Sequence, residues 1–465
     1  MLAISANATL RGPALSRGEL LRAGLVTAGC LGLPELLSGR STATDARRKD
    51  TAVIQLWLGG GPSHLDMYDL KPEAPAEIRG PFKPIATNVP GTQICELLPL
   101  QAKLMDTLSI VRSLHHATDD HAAGMHWMVT GQPVVPTAPD VLTPTHPSLG
   151  SVVAHERGPN QPGMAPYVHI HPDSMGFPIF PRIHGPAFLG ARYAPLVVDY
   201  ARKVADMNRA TLDNLIGKPE FTGPSLALPV DISTDRLAGR DQLRRGLGEL
   251  HQSLGCPAAS RLDEFQRQAL ALVSSDAARN AFDLEKEDAA TRDRYGRNSW
   301  GQGLLLCRRL VEAGVTFVTL NTDSFSGQWD THGNQEATFK EMLPVYDQML
   351  TALVQDLIDR GLYERVLVVV WGEFGRTPKI NGNGGRDHWG RAAFVLLGGG
   401  GVPGGRVIGS TNPRGEEPQD DPHWPTDVLA TIYRVLGIDC DGELHDSFGR
   451  PYKLLAGGQP IADLL

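Results

Sequence analysis

A chain of 465 residues with a formal net charge of −8, its lysines and arginines scattered, presents no basic face, which excludes nucleic acid as the main partner. With 41% hydrophobic and 21% charged residues it has the composition of a soluble globular protein, long enough for one large α/β core. Its five cysteines (Cys30, Cys95, Cys256, Cys307 and Cys440) form no CxxC pair and are odd in number, so neither a disulfide framework nor a zinc finger is expected.

Residues 1–50 differ from the rest. Arg11, Arg17 and Arg22 precede a short apolar run at 23–33, the build of an export signal. The run is too short to span a bilayer comfortably, so no stable transmembrane anchor is expected. Ser16-Arg17-Gly18 approximates a twin-arginine motif with glycine in place of the second arginine, and Thr27-Ala28-Gly29-Cys30 approximates a lipoprotein site. The export route stays open.

The globular part is expected from residue 51. The run 52–58 reads as a first strand leading into Gly59-Gly60-Gly61-Pro62-Ser63-His64-Leu65-Asp66, where glycines let backbone approach a ligand. No GK[ST] or GxGxxG follows, so this is not a nucleotide loop. His64 and Asp66 are candidate ligands, although Asp66 and Asp69 also suit a capped turn. The proline-rich stretch 71–99 reads as irregular, followed by a helix near 99–106 and a strand over 108–112. Beyond that strand come His115, His116, Asp119, Asp120, His121 and His126, a dense set of imidazoles and carboxylates. Thr118 or an aspartate caps a helix over 121–130. The helix dipole at such an N-terminus favours a neutral imidazole, suited to a metal ligand or a nucleophile.

From 143 to about 229 proline and glycine dominate, with a helix over 149–156 and short apolar pieces at 167–171 and 196–198. Residues 235–295 are charged and helical. Together 143–295 read as loop-rich and helical insertions beside the main sheet. A helix over 302–313, ended by Gly314, feeds a strand over 315–320. Past that strand, Asp330 and His332 point the same way if the backbone is extended. A long helix over 335–360 carries the apolar stripe Leu343, Tyr346, Leu350, Leu353 and Leu357. The apolar run 365–371 reads as a strand buried on both faces of a parallel sheet. At its end the glycine-rich stretch 372–391 places Glu373, Arg376, Arg386, Asp387 and His388. A strand over 393–397 and a helix over 427–436, capped by Thr426 and closed by Gly437, follow. His423 reads as a surface histidine.

The polar clusters thus follow strand ends, where sites form in parallel sheets. Carboxylate with imidazole favours one or two divalent ions of the zinc, manganese or iron type over calcium, and a pair of such ions suits ester hydrolysis.

Gly60-Gly61-Pro62-Ser63-His64-Leu65-Asp66, Arg308-Arg309-Leu310-Val311-Glu312-Ala313-Gly314, Trp329-Asp330-Thr331-His332, Gly372-Glu373-Phe374-Gly375-Arg376-Thr377-Pro378 and Gly385-Arg386-Asp387-His388-Trp389 together resemble the bacterial domain of unknown function 1501. That family is similar to the alkaline phosphatase and sulfatase superfamily. The resemblance implies an alkaline-phosphatase-like three-layer α/β sandwich, with a mostly parallel central sheet, helices on both faces and a metal site at the carboxyl edge. Carried over, it implies Asp330, His332, Glu373 and His388 as metal ligands, with Asp387, His64 and Asp66 as further candidates. His121 falls where sulfatases place a cysteine or serine nucleophile and is the expected catalytic residue. Arg376 and Arg112 are expected to hold an anionic substrate, because guanidinium matches phosphate and sulfate oxygens. Two positions depart from the superfamily: Gly59 and Gly60 replace a metal-binding aspartate pair, and Phe374 replaces a ligand histidine. The expected function is an exported metal-dependent hydrolase of phosphate or sulfate esters, carbohydrate-linked ones included. The alternative is a secreted binding or structural protein that keeps the fold and a metal.

Overall fold

The computed structural model describes residues 50–135, 142–172, 182–200, 274–322 and 329–465, with isolated positions between 236 and 272. The expected export signal, most of the expected helical arm before 274 and part of the loop before Asp330 lie outside these residues.

An eight-stranded sheet organises the core. Its strands are β1 (Ala52–Trp57), β2 (Leu108–Leu114), β3 (Tyr167–Pro172), β4 (Leu196–Tyr200), β5 (Phe317–Asn321), β6 (Val366–Trp371), β7 (Ala393–Gly398) and β8 (Val407–Ile408). Their spatial order is β8-β2-β7-β6-β1-β5-β3-β4. Neighbours pair in parallel except at β7, which runs antiparallel to both β2 and β6. The helices that matter here are α1 (His121–Thr130), α2 (Leu149–Glu156), α3 (Ser299–Glu312), α4 (Gln335–Asp359) and α5 (Pro425–Leu436).

Alternation along each strand sorts side chains onto two cores. Ile54 and Leu56 of β1 and Val368 and Val370 of β6 join Leu304, Met342 and Leu350 from α3 and α4. Val53, Trp57, Leu367, Val369 and Trp371 join Met128, Val152 and Leu429 from α1, α2 and α5 on the opposite face. Apolar residues are therefore needed on both sides of the central strands, which explains their unbroken hydrophobic runs. The stripe on α4 is fully buried, and truncating a residue such as Leu350 to alanine would cost about 2–5 kcal/mol. The observed fold is the expected α/β arrangement, a mostly parallel sheet between two helical layers.

Local capping moves several boundaries. The aspartate that caps α1 is Asp120, whose side chain accepts a hydrogen bond from the Ala123 N–H at 2.9 Å. Helix α3 begins at Ser299, not at 302, because the Asn298 side chain accepts from the Gly301 N–H. Helix α5 begins at Pro425, so Thr426 lies inside it, and the Asp427 carboxylate accepts from the Trp424 N–H at 2.8 Å. The helix expected near 99–106 is instead two 3-10 turns, Gln101–Lys103 and Met105–Thr107. Strand direction then positions the site. The parallel strands β1, β2, β5 and β6 end on one edge, and reversed β7 starts there, so the connection 372–392 begins and ends on that edge.

Candidate metal centre

Four segments meet at this carboxyl edge: Gly60 and Gly61 after β1, His121 at the start of α1, Asp330 and His332 after β5, and the connection between β6 and β7. In that connection a short antiparallel ribbon pairs Arg376 with His388. The two glycines let the chains close up. Gly60 has φ 110°, and a Cβ there would lie 2.7 Å from the Asp330 backbone nitrogen. Glycine at position 60 is thus required by the close approach of the Asp330 strand end.

Asp330 is the hub. Its Oδ1 lies 3.1 Å from Nε2 of both His332 and His388, and its Oδ2 lies 3.6 Å from Nε2 of His121. Each ring is held from behind at Nδ1, at 2.7 Å in every case: His121 by Glu373 Oε1, His332 by Asp387 Oδ1, and His388 by the Asp119 carbonyl. Donation from Nδ1 fixes the tautomer and leaves a lone pair on Nε2. With all three rings in that neutral form, three imidazole acceptors and a carboxylate face one another. His332 Nε2 and His388 Nε2 are 3.0 Å apart, a separation at which two lone pairs repel unless a proton or a cation lies between them. Ligand atoms of His121, Asp330 and His388 lie within 4.8 Å of one another.

The surrounding charge is lopsided. Among the described residues, Asp330, Glu373 and Asp387 face a single guanidinium, that of Arg376. Glu373 is fully buried, and its Oε1 accepts from the Gly60 N–H at 2.7 Å as well as from His121. Its Oε2 is buried with no hydrogen-bond partner among the described residues, a costly arrangement without a positive neighbour. Burial alone would pull the His121 imidazole down, but the hydrogen bonds and charges of Asp330 and Glu373 outweigh it and push it up to about 10. The neutral imidazole expected from the helix dipole is therefore not what this environment favours in the metal-free protein. Burial also opposes the charged form of Asp330, yet His121, His388 and Arg376 hold it far below the usual carboxylate range. A divalent cation fits this donor set. Imidazole nitrogens with backed tautomers, one carboxylate and a net negative surround suit zinc, manganese or iron, whereas calcium prefers a cage of oxygens.

The remaining candidates separate by geometry. Glu373 and Asp387 stand behind His121 and His332, orienting the rings. Arg376 is fully buried and spends its guanidinium inside the protein: Nε donates to Gly61 O at 2.7 Å, Nη1 to Arg386 O at 3.1 Å, and Nη2 to Gly60 O and to Asp330 Oδ1, the last at 2.5 Å. The expectation that it holds a substrate is corrected to that of holding Asp330. Arg112 is also not brought to the cluster; it donates to Gln93 O and lies 3.9 Å from Asp69. Nor are His64 and Asp66. His64 is buried against Gly415 O, with burial lowering its pKa, and Asp66 is sealed in an ion pair with Arg386 at 2.7 Å. Two contributors went unassigned in the sequence, His116, which contacts Glu373 O, and Asp119, whose carbonyl backs His388. Both lie in the dense stretch 115–126, the one signal that could have found them.

The fold is similar to that of the PsFucS1 sulfatase from Pseudoalteromonas sp., with a TM-score of 0.40 and 11% identity over 85% of this chain and 70% of that one. It is also similar to the phosphonate monoester hydrolase SpPMH from Silicibacter pomeroyi (TM-score 0.37, 10% identity, 84% and 74%) and to a protein in the alkaline phosphatase superfamily from Vibrio parahaemolyticus (0.36, 12%, 84% and 67%). No curated protein matches the chain in sequence. Among the described residues no helix is long and apolar enough to cross a membrane. The family model described as a protein of unknown function, DUF1501, matches residues 50–465, and the chain belongs to that family.

Proposed function

We propose that the protein is an exported metal-dependent hydrolase of phosphate or sulfate esters. The observation that carries this reading is the convergence of three rear-anchored imidazoles on Asp330. In it, Asp330, His332 and His388 hold a divalent ion, which when bound polarises an ester oxygen and makes a nearby water more acidic. The other residues act around that centre. Arg376 and Asp387 orient Asp330 and His332. His121, backed by Glu373, is left for proton transfer at Nε2. A protonated imidazole has no lone pair for attack, so its raised pKa suits a general acid toward the leaving oxygen better than the nucleophile implied by the resemblance. A nearby cation would bring that pKa down toward neutrality. The Phe374 ring, centred 5.0 Å from His121 and 4.6 Å from His388, forms a dry wall that strengthens these charge interactions. Export is supported by the arginine-led apolar run at 23–33.

The test is elemental analysis of the purified protein together with hydrolysis of 4-nitrophenyl phosphate and 4-nitrophenyl sulfate. Hydrolysis of one ester is expected, lost on chelation and in a His332→Ala/His388→Ala variant. A metal-free wild type that hydrolyses neither ester would overturn the proposal. Metal bound at Asp330 without hydrolysis of either ester would favour the binding-protein alternative.

A further inference from the structure

A second group of histidines stands apart from Asp330. Strand β3 carries His169 and His171, two residues apart and hence on one face, and His184 packs against His169 from another segment. In the sheet, β3 is separated from β1 by β5. The His169 ring centre lies 5.4 Å from that of His171 and 4.8 Å from that of His184. His169 is 0% exposed and His184 1%. Among the described residues, neither ring nitrogen of His169 has a hydrogen-bond partner, and neither does Nε2 of His184. Buried polar atoms in native proteins are nearly always satisfied, so unpaired nitrogens on adjacent enclosed rings point to an occupant.

We propose that His169, with His171 and His184, binds a divalent transition metal of the nitrogen-preferring class, zinc or cobalt, at a site separate from the Asp330 centre. Imidazole donors without carboxylate select such ions over magnesium or calcium. Burial pushes the pKa of His169 well down and that of His184 to about 3, which keeps both rings in the neutral form that ligates. Two imidazoles sharing a tetrahedral ion at about 2.1 Å place their ring centres about 5 Å apart, the spacing found on both sides of His169. Among the described residues the donor atoms around Asp330 already lie within 4.8 Å of one another, whereas those of His169, His171 and His184 do not form such a group. Loading the second site therefore involves a rotation of at least one ring, and among the described residues no hydrogen bond to His169 opposes it.

The experiment uses the full chain in the His332→Ala/His388→Ala background, which removes the first centre whatever its function. After equilibration with Co2+ and gel filtration, this variant is expected to keep about one equivalent of cobalt, to show the visible absorption of nitrogen-ligated Co2+, and to melt at a higher temperature with Zn2+ than without. Adding His169→Phe, or separately His184→Phe, is expected to abolish all three. Absence of retained cobalt and of a Zn2+-induced melting shift in the parent variant would overturn the proposal, as would their persistence in both phenylalanine variants. Water as the occupant would give the first of these results. Because the ester-hydrolysis assay plays no part, failure here is separate from failure of the function proposed above.

Discussion

The same glycine-rich connection supplies two buried arginines, each paired with an aspartate from elsewhere in the chain, and the two pairs have opposite characters. Asp66 and Arg386 are both fully enclosed, and Asp66 also accepts from Ser63 and Gln335 at 2.5 Å each. Its oxygens are spent on donors, and nothing remains for a ligand. Asp330 has its own arginine, Arg376, but is 27% exposed at the side chain and is otherwise surrounded by imidazoles whose Nδ1 atoms are already committed. One aspartate is finished by the fold; the other faces imidazole nitrogens able to act as ligands beside it. A buried ion pair is thus a poor guide to function unless the second partners of each oxygen are counted.

The largest expected difference between the two pairs appears when each aspartate is neutralised. Asp66→Asn leaves Arg386 buried without its counter-charge and should cost about 3–5 kcal/mol in urea unfolding, with metal content per folded molecule unchanged. Asp330→Asn should abolish metal binding at the first centre while destabilising the chelator-treated protein less than Asp66→Asn does, because the buried Arg376 keeps the charges of Glu373 and Asp387 nearby. Equal destabilisation by both substitutions would erase the distinction. Next in size is Glu373→Gln, which keeps the volume but weakens the anchor of His121; by the usual effect of outer partners on metal sites it should lower metal affinity about 10–100-fold in a metal-competition titration.

A pH series sharpens the comparison further. In metal-free protein the His121 pKa is raised to about 10, so its contribution to stability is fully present below about 6.5 and is lost as pH rises through about 10. Asp330 works in the opposite sense, its contribution being present above the ordinary aspartate value and lost as pH falls below it. Urea unfolding of chelator-treated protein should accordingly weaken between pH 6 and pH 10. This slope should flatten in His121→Gln, and an unchanged slope in that variant would assign the titration elsewhere. The smallest effect belongs to Asp387→Asn. This exposed carboxylate backs His332 in solvent, where screening limits its influence, so a reduction in metal affinity of about 10-fold or less is expected.

The sheet was readable in the sequence because its central strands are buried on both faces, and β6 therefore spells Val366-Leu367-Val368-Val369-Val370-Trp371 without a polar break. The placement of Asp330, His332, His388 and His121 at one edge of the sheet was readable because each follows or faces a strand end. The roles of Arg376 and Asp66 were not. The carbonyl oxygens that occupy Arg376 belong to Gly60 and Gly61, more than three hundred residues away, and Asp66 meets Arg386 across 320 residues. Residue type alone does not distinguish an arginine aimed at solvent from one consumed by distant backbone. Helix starts slipped for a more local reason, since Asn298 and Pro425 begin their helices before the apolar periodicity does.

The reversal of β7 bears on the order of assembly. Glu373 and His388 belong to one loop and can approach each other early, as a nearly local event. Asp330 and His121 arrive only when β5 and the helix after β2 take their places around β1 and β7, which requires contacts between distant parts of the chain. The complete donor set therefore exists only after the sheet has closed. Under the proposed function, metal capture at Asp330 would fall late in folding, and a loaded centre would mark a finished sheet.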